Sequence, residues 1–145
     1  MKTLVSSWYA WAILAAVFAA LTSLFAKVGI EGVHSDFAIF VRTIVVILFL
    51  MVVLAVTGRF QVLSSIPRRS LVFLVLSGLA TGASWLCYFR ALKLGHVSRV
   101  ATIDKLSLLL IAVLGVVFLH ERLSWWNWAG VALMAAGAVL VGLRG

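Results

Sequence analysis

The chain has 145 residues; apolar types fill 65% of it and charged types 11%, against roughly one-half and one-quarter in soluble domains. That balance marks a membrane protein, and since crossing a ~30 Å hydrocarbon core takes about 20 helical residues, the length admits several spans but excludes a two-domain enzyme. The formal charge of +8 gathers into no basic stripe beyond Arg68 and Arg69, so lipid headgroups rather than nucleic acid are the expected counter-charge.

Five runs approach spanning length: Trp8 to Ala26, Phe37 to Val56, Leu71 to Phe89, Val100 to Leu119 and Trp125 to Leu143. They lack the dyadic polar alternation of barrel strands, and a helix satisfies its own backbone in lipid. The expected fold is all-α, a polytopic membrane protein of five transmembrane helices forming one domain over residues 1–145. The first run is too long for a signal-peptide core and no plausible cleavage site follows it, so the N-terminus is expected to be mature. Trp8 and Trp11 open the first span, as Trp125, Trp126 and Trp128 open the fifth, an interfacial belt on one membrane face.

Within the first span, Ala15, Ala19, Ser23 and Lys27 recur at four-residue steps, a stripe small enough for close helix approach that ends in a cation. Gly29 and Gly32 punctuate the first connection, Gly58 and Pro67 the second, and Gly95 and Ser98 the third. Arg42 lies shortly after the start of the second span, and Asp104 and Lys105 shortly after the start of the fourth. With Lys27 they form an expected polar layer near one mouth of the bundle, where each charge must face protein or water, snorkel or find an opposite charge. Asp104, the only acid inside these spans, is the expected partner of several cations, notably Arg42. On a continuous helix, Asp104 and Lys105 point about 100° apart and form no simple facing pair. The layer reads as either an interhelical clamp or a gate whose pairing changes during transport.

In the third span, Ser77, Thr81, Ser84 and Tyr88 share a helical stripe flanked by Trp85. Hydroxyls beside an aromatic face suit the lining of a solute pathway, while Gly78 and Gly82 beside them equally favour helix packing. Arg90 points away from Tyr88 on the wheel and is placed outside that surface. Cys87, the single cysteine, excludes an intrachain disulfide and reads as a small apolar residue in a buried segment. Ser124 is placed to N-cap the last span, with Glu121 and Asn127 helping; Gly130 and Gly137 mark a packing seam. His34, His96 and His120 fall in connections without ligand spacing, and no glycine-rich loop ends in Lys-Ser or Lys-Thr, so no metal, cofactor or enzymatic activity is expected.

Five spans put the termini on opposite faces. One face carries Lys2, Arg59, Arg68, Arg69 and Arg122; the other carries Lys27, Arg90, Lys93, Arg99 and Arg144. An even division gives the positive-inside rule little to act on. Either one weakly specified orientation prevails, with the face of Lys27 and Arg90 inside, or the chain inserts both ways and pairs as an antiparallel homodimer, recreating an inverted repeat.

The sequence resembles the EamA-type branch of the drug/metabolite transporter superfamily, in its single-repeat, five-span form. The resemblance covers nearly the whole chain and rests on Lys27, Arg42, YFRAL from Tyr88 to Leu92, VSRVATIDKLS from Val97 to Ser107, and FLHERLSWWNWAGVALMAAGAVL from Phe118 to Leu140. It implies a helical transporter of small solutes, in which longer relatives carry two such repeats in inverted orientation. A single repeat then needs a second copy or a related five-span partner. Many EamA repeats have a proline near the beginning of the fourth span; here Asp104 and Lys105 are followed by Leu106. The related small multidrug resistance proteins use an acid in the first span, and this first span has none. The resulting expectation is a secondary transporter subunit for a small metabolite in a prokaryotic plasma membrane. Ser77, Thr81, Trp85 and Tyr88 would contact solute, and Lys27, Arg42, Asp104 and Lys105 would gate or compensate charge. The rival from another class is a non-transporting scaffold or accessory subunit.

Overall fold

A computed structural model describes residues 7–143, and every regular element among them is helical. In chain order these are α1 (Trp8–Gly29), α2 (Ser35–Thr57), α3 (Arg68–Leu94), α4 (Val97–Asp104), α5 (Ser107–Leu119) and α6 (Trp125–Leu143), with a short 3₁₀ turn at Leu63–Ser65. Five stretches are long and apolar enough to cross a bilayer: α1, α2, α3, α4 with α5, and α6. The protein is an all-α polytopic membrane protein, as its composition requires. Of the cations counted by membrane face, Lys2 and Arg144 lie outside the described residues.

The helix ends follow local chemistry. Gly58 takes a left-handed backbone after α2 (φ 65°), and the Arg59 N–H closes onto the Leu54 carbonyl at 3.3 Å, satisfying a terminal acceptor that the helix itself leaves open. Ser124 caps α6, its Oγ accepting the Asn127 N–H at 3.4 Å. Glu121 does not assist there. Instead its carboxylate lies against α5, where a Cβ on Gly115 would meet Oε2 at 2.9 Å. His120 adopts φ 54°, and its N–H and that of Glu121 both return to the Gly115 carbonyl.

The fourth span is not one helix. Between α4 and α5, the Lys105 N–H donates to Thr102 at 3.1 Å and that of Leu106 to Ile103 at 2.9 Å. These bonds step back three residues rather than four, tightening the backbone into a 3₁₀-like turn. Neither glycine nor proline marks the place, so the interruption is invisible to residue punctuation.

The chain divides into two compact units. One takes in the beginning of α1 to Leu24 and everything from Leu94 onward. Here α4 and α5 both pack against α6; Ala138 is buried, and Gly142 lets the Ile103 side chain come within 3.3 Å of where a Cβ would stand. Trp8 stacks on Tyr9 with ring centres 3.5 Å apart, and Trp8, Trp11, Trp125 and Trp126 are exposed, as an interfacial belt demands.

The second unit, Phe25 to Lys93, holds the end of α1 together with α2 and nearly all of α3. Its buried side chains are Ile30, Ile39, Phe89 and Leu92, all near the start of α2 or the end of α3. Gly32, at φ 76°, allows the turn between α1 and α2 that brings Ile30 into this cluster. Elsewhere the apolar side chains face outward, which suits lipid and would be untenable in water.

Several sequence expectations about packing are revised. Ala15 and Ala19 are exposed, and nothing lies within 4 Å of a Cβ built on Gly78, Gly82, Gly130 or Gly137. These small residues therefore form no filled seam within the single chain. Cys87 is exposed on α3 rather than buried.

Leu92 is fully buried and Leu94 is 90% exposed. Leu92→Ala is expected to destabilise the protein by about 2–4 kcal/mol through lost contacts and a residual cavity, whereas Leu94→Ala should leave stability within about 0.5 kcal/mol. Denaturation of the purified protein in mixed detergent micelles measures both.

Candidate functional site

The second unit concentrates polar chemistry at the start of α2 and the end of α3. Asp36 stands in the first turn of α2, because that helix begins at Ser35, two residues before the predicted run. Its carboxylate forms a two-pronged pair with Arg90, Nη2 to Oδ2 at 2.9 Å and Nε to Oδ1 at 3.2 Å. The pair is exposed and positions α2 against α3 rather than stabilising them strongly. Lys93 Nζ donates to the Val33 carbonyl at 2.8 Å. Lys27 Nζ donates to the Leu92 carbonyl at 2.6 Å, placing a cation at the C-terminal end of α3, where helix carbonyls lack internal partners.

Arg42 is treated differently. It lies seven residues into α2 from Ser35, about 10 Å along the helix axis. Its guanidinium carbon stands 4.2 Å from the centre of the Trp85 ring and 5.5 Å from that of Phe89. No carboxylate pairs with Arg42 among the described residues. An arginine at the centre of a span costs about 2.5–3.5 kcal/mol on insertion scales and less toward an end, where Arg42 lies, and a cation–π contact returns about 0.5–2 kcal/mol. The aromatic cradle thus offsets part of the cost and leaves the guanidinium N–H groups open to water or an anion.

This arrangement brings together residues expected to play different parts. Arg42, read as a gate, meets Trp85, read as a solute contact, and Tyr88 lies three residues on from Trp85 in the same helix. Phe89 was missed; its signal was present in the four-residue step from Trp85, which puts both rings on one face of α3. Asp36 was also missed as a partner, because it fell just outside the predicted span.

The rest of the expected solute stripe is exposed on α3. Ser77, Thr81 and Ser84 face outward, and Thr81 Oγ1 donates to the Ser77 carbonyl at 2.8 Å, a local bond that leaves the hydroxyl oxygen able to accept another. Trp85 and Tyr88 are half-buried.

In the first unit, Asp104 ends α4 and Lys105 follows in the turn. Their charged groups approach to 3.7 Å, although the pair was expected to diverge. The long lysine side chain spans the gap, since neighbouring residues diverge in either kind of helical turn. At that separation the contact is electrostatic, too long for a hydrogen bond, and both side chains remain solvent- or lipid-accessible.

Residues 6–143 match the EamA-like transporter family. The chain belongs to that family. It is also 56% identical over 135 residues to an uncharacterized transporter in the cobO 3′ region of a Sinorhizobium species, an alignment covering 93% of this chain and 96% of the relative. No solved structure matches. This EamA-like protein is accordingly a multi-pass membrane transporter, and the cradle around Arg42 is a place where it can hold charge within a span.

The cradle has an energetic signature. A double-mutant cycle combining Arg42→Met with Trp85→Leu should give a coupling of about 0.5–2 kcal/mol, measured by denaturation in micelles; additive effects would show that the ring does not hold the cation.

Proposed function

We propose that the protein is a secondary transporter of a small metabolite in a prokaryotic plasma membrane, working by alternating access. The chain over residues 1–145 acts as one EamA-like repeat and supplies half of a pathway. A second copy in inverted orientation, or a related five-span chain, supplies the other half. The bacterial source of the transporter relative supports the location. Ser77, Thr81, Trp85 and Tyr88 contact the solute; Lys27, Arg42, Asp104 and Lys105 gate it or balance its charge.

The observation that carries this reading is the contact of Arg42 with Trp85. A cation inside a span meets the aromatic end of a stripe whose hydroxyls are open. The exposed face of α3 around Gly78 and Gly82 supports the two-repeat arrangement, because small residues with empty space above them admit a neighbouring backbone.

Purified protein in liposomes should exchange a solute identified by an uptake and efflux screen, and Asp104→Asn should change the rate or its pH dependence. Unchanged kinetics would remove Asp104 from the mechanism. Gly82→Leu meets no neighbour within the chain, so it should leave the monomer folded and weaken self-association by about tenfold or more if two copies pack there. Light scattering and cross-linking across a dilution series in detergent measure that loss.

A further inference from the structure

We propose that Arg42, with Trp85, Tyr88 and Phe89, recognises the carboxylate of a small organic monoanion that has an apolar or aromatic body. The proposal rests on the transporter reading and names the substrate class that would occupy its site.

Four features of the second unit converge on this assignment. First, the other cations at this end are engaged: Lys27 with the Leu92 carbonyl, Lys93 with the Val33 carbonyl, and Arg90 with Asp36. Arg42 alone among them has ring faces for neighbours and no acidic partner among the described residues. Second, a guanidinium presents five N–H donors in a planar fork. Aromatic faces attract its charge yet fill none of those hydrogen bonds to oxygen, whereas a carboxylate engages two in parallel.

Third, depth argues for an incoming solute rather than a lipid headgroup. On α3, which ends at Leu94, Phe89 lies about 7 Å and Trp85 about 13 Å from that end. The guanidinium stands 4.2 Å from the Trp85 ring centre, so it rests against a ring rooted about 13 Å inside that end and not among the headgroups. Snorkelling would carry it the other way. Fourth, a single planar fork matches the two oxygens of a single carboxylate, which favours a monocarboxylate over larger polyanions. The rings of Trp85, Tyr88 and Phe89 give the rest of the molecule an apolar surface to lie on.

The test is equilibrium binding to the full-length protein in neutral detergent, followed by thermal shift and tryptophan fluorescence. The probes are benzoate, phenylacetate and hexanoate, each compared with its own amide. At least one acid should bind about tenfold more tightly than its amide, Arg42→Gln should erase that preference, and Arg42→Lys should keep only a part of it because the fork is lost. Equal affinity for all acids and amides, or a preference that survives Arg42→Gln, overturns the proposal. So does stabilisation by phosphatidylglycerol that depends on Arg42 while the acids fare no better than amides, since the site would then serve lipid. If Arg42→Gln does not fold, the wild-type comparison and Arg42→Lys decide. Flux in liposomes separates this proposal from the reading beneath it. Acid-selective binding without flux of any solute sinks the transporter mechanism and leaves the carboxylate site; flux without acid selectivity does the reverse.

Discussion

A guanidinium two turns inside a membrane-spanning helix must put its charge somewhere, and the second unit is organised around that constraint. Arg42 finds indole and phenyl faces instead of a carboxylate. Its neighbours in the same unit follow the opposite course. Lys27 and Lys93 reach backbone carbonyls, and Arg90 takes Asp36. Four cations at one end of three helices repel one another. Asp36 neutralises Arg90 and backbone carbonyls hold Lys27 and Lys93 in place, which leaves Arg42 as the one of the four held by ring faces.

The same end of the unit holds its buried side chains. Phe89 and Leu92 from α3 are buried, as are Ile30 and Ile39, so the cradle that carries Arg42 lies at the most enclosed end of the unit. Phe89 serves both purposes, being buried and lying 5.5 Å from the guanidinium. From Leu71 to Ser84, by contrast, α3 is exposed throughout. A helix anchored at one end and uncovered along the rest offers a surface for lipid or another subunit, and the absence of Cβ atoms at Gly78 and Gly82 shapes that surface for close approach. The enclosed cradle and the uncovered face beside it thus lie on one helix, α3.

The sequence displayed the five spans because hydrocarbon thickness imposes a length that few other structures satisfy. Helix ends were legible where a residue has one dominant use: Gly58 in a left-handed cap and Ser124 at an N-cap. Legibility failed where the cause is tertiary. Asp36 and Arg90 are 54 positions apart, and only the antiparallel course of α2 and α3 brings them together. Arg90 faces away from the hydroxyl stripe, as the wheel predicts, yet that direction is what lets it reach Asp36. His120 adopts a backbone conformation usually left to glycine or asparagine, so no residue preference announced the end of α5. Ala15 and Ala19 show the converse failure: small residues at helical spacing permit a close neighbour without supplying one.

The interruption of the fourth span follows the same logic at a different place. A carboxylate at the C-terminal end of α4 stands where the helix dipole is negative, an unfavourable position for an acid. Lys105, the next residue, brings its ammonium to 3.7 Å and offsets both charges at once. The contact comes from the length of the lysine side chain, because neighbouring residues point about 100° apart on an α-helix and about 120° apart in a 3₁₀ turn. Proline in this region would impose a break by removing a backbone donor; here the backbone breaks while keeping its donors, through the bonds from Lys105 to Thr102 and from Leu106 to Ile103. Such bonds are interchangeable with those of an ordinary α-helix at small cost. The pair and the break are therefore separate features: the tightened backbone places Asp104 at a helix end, and the reach of Lys105 supplies the compensating charge there.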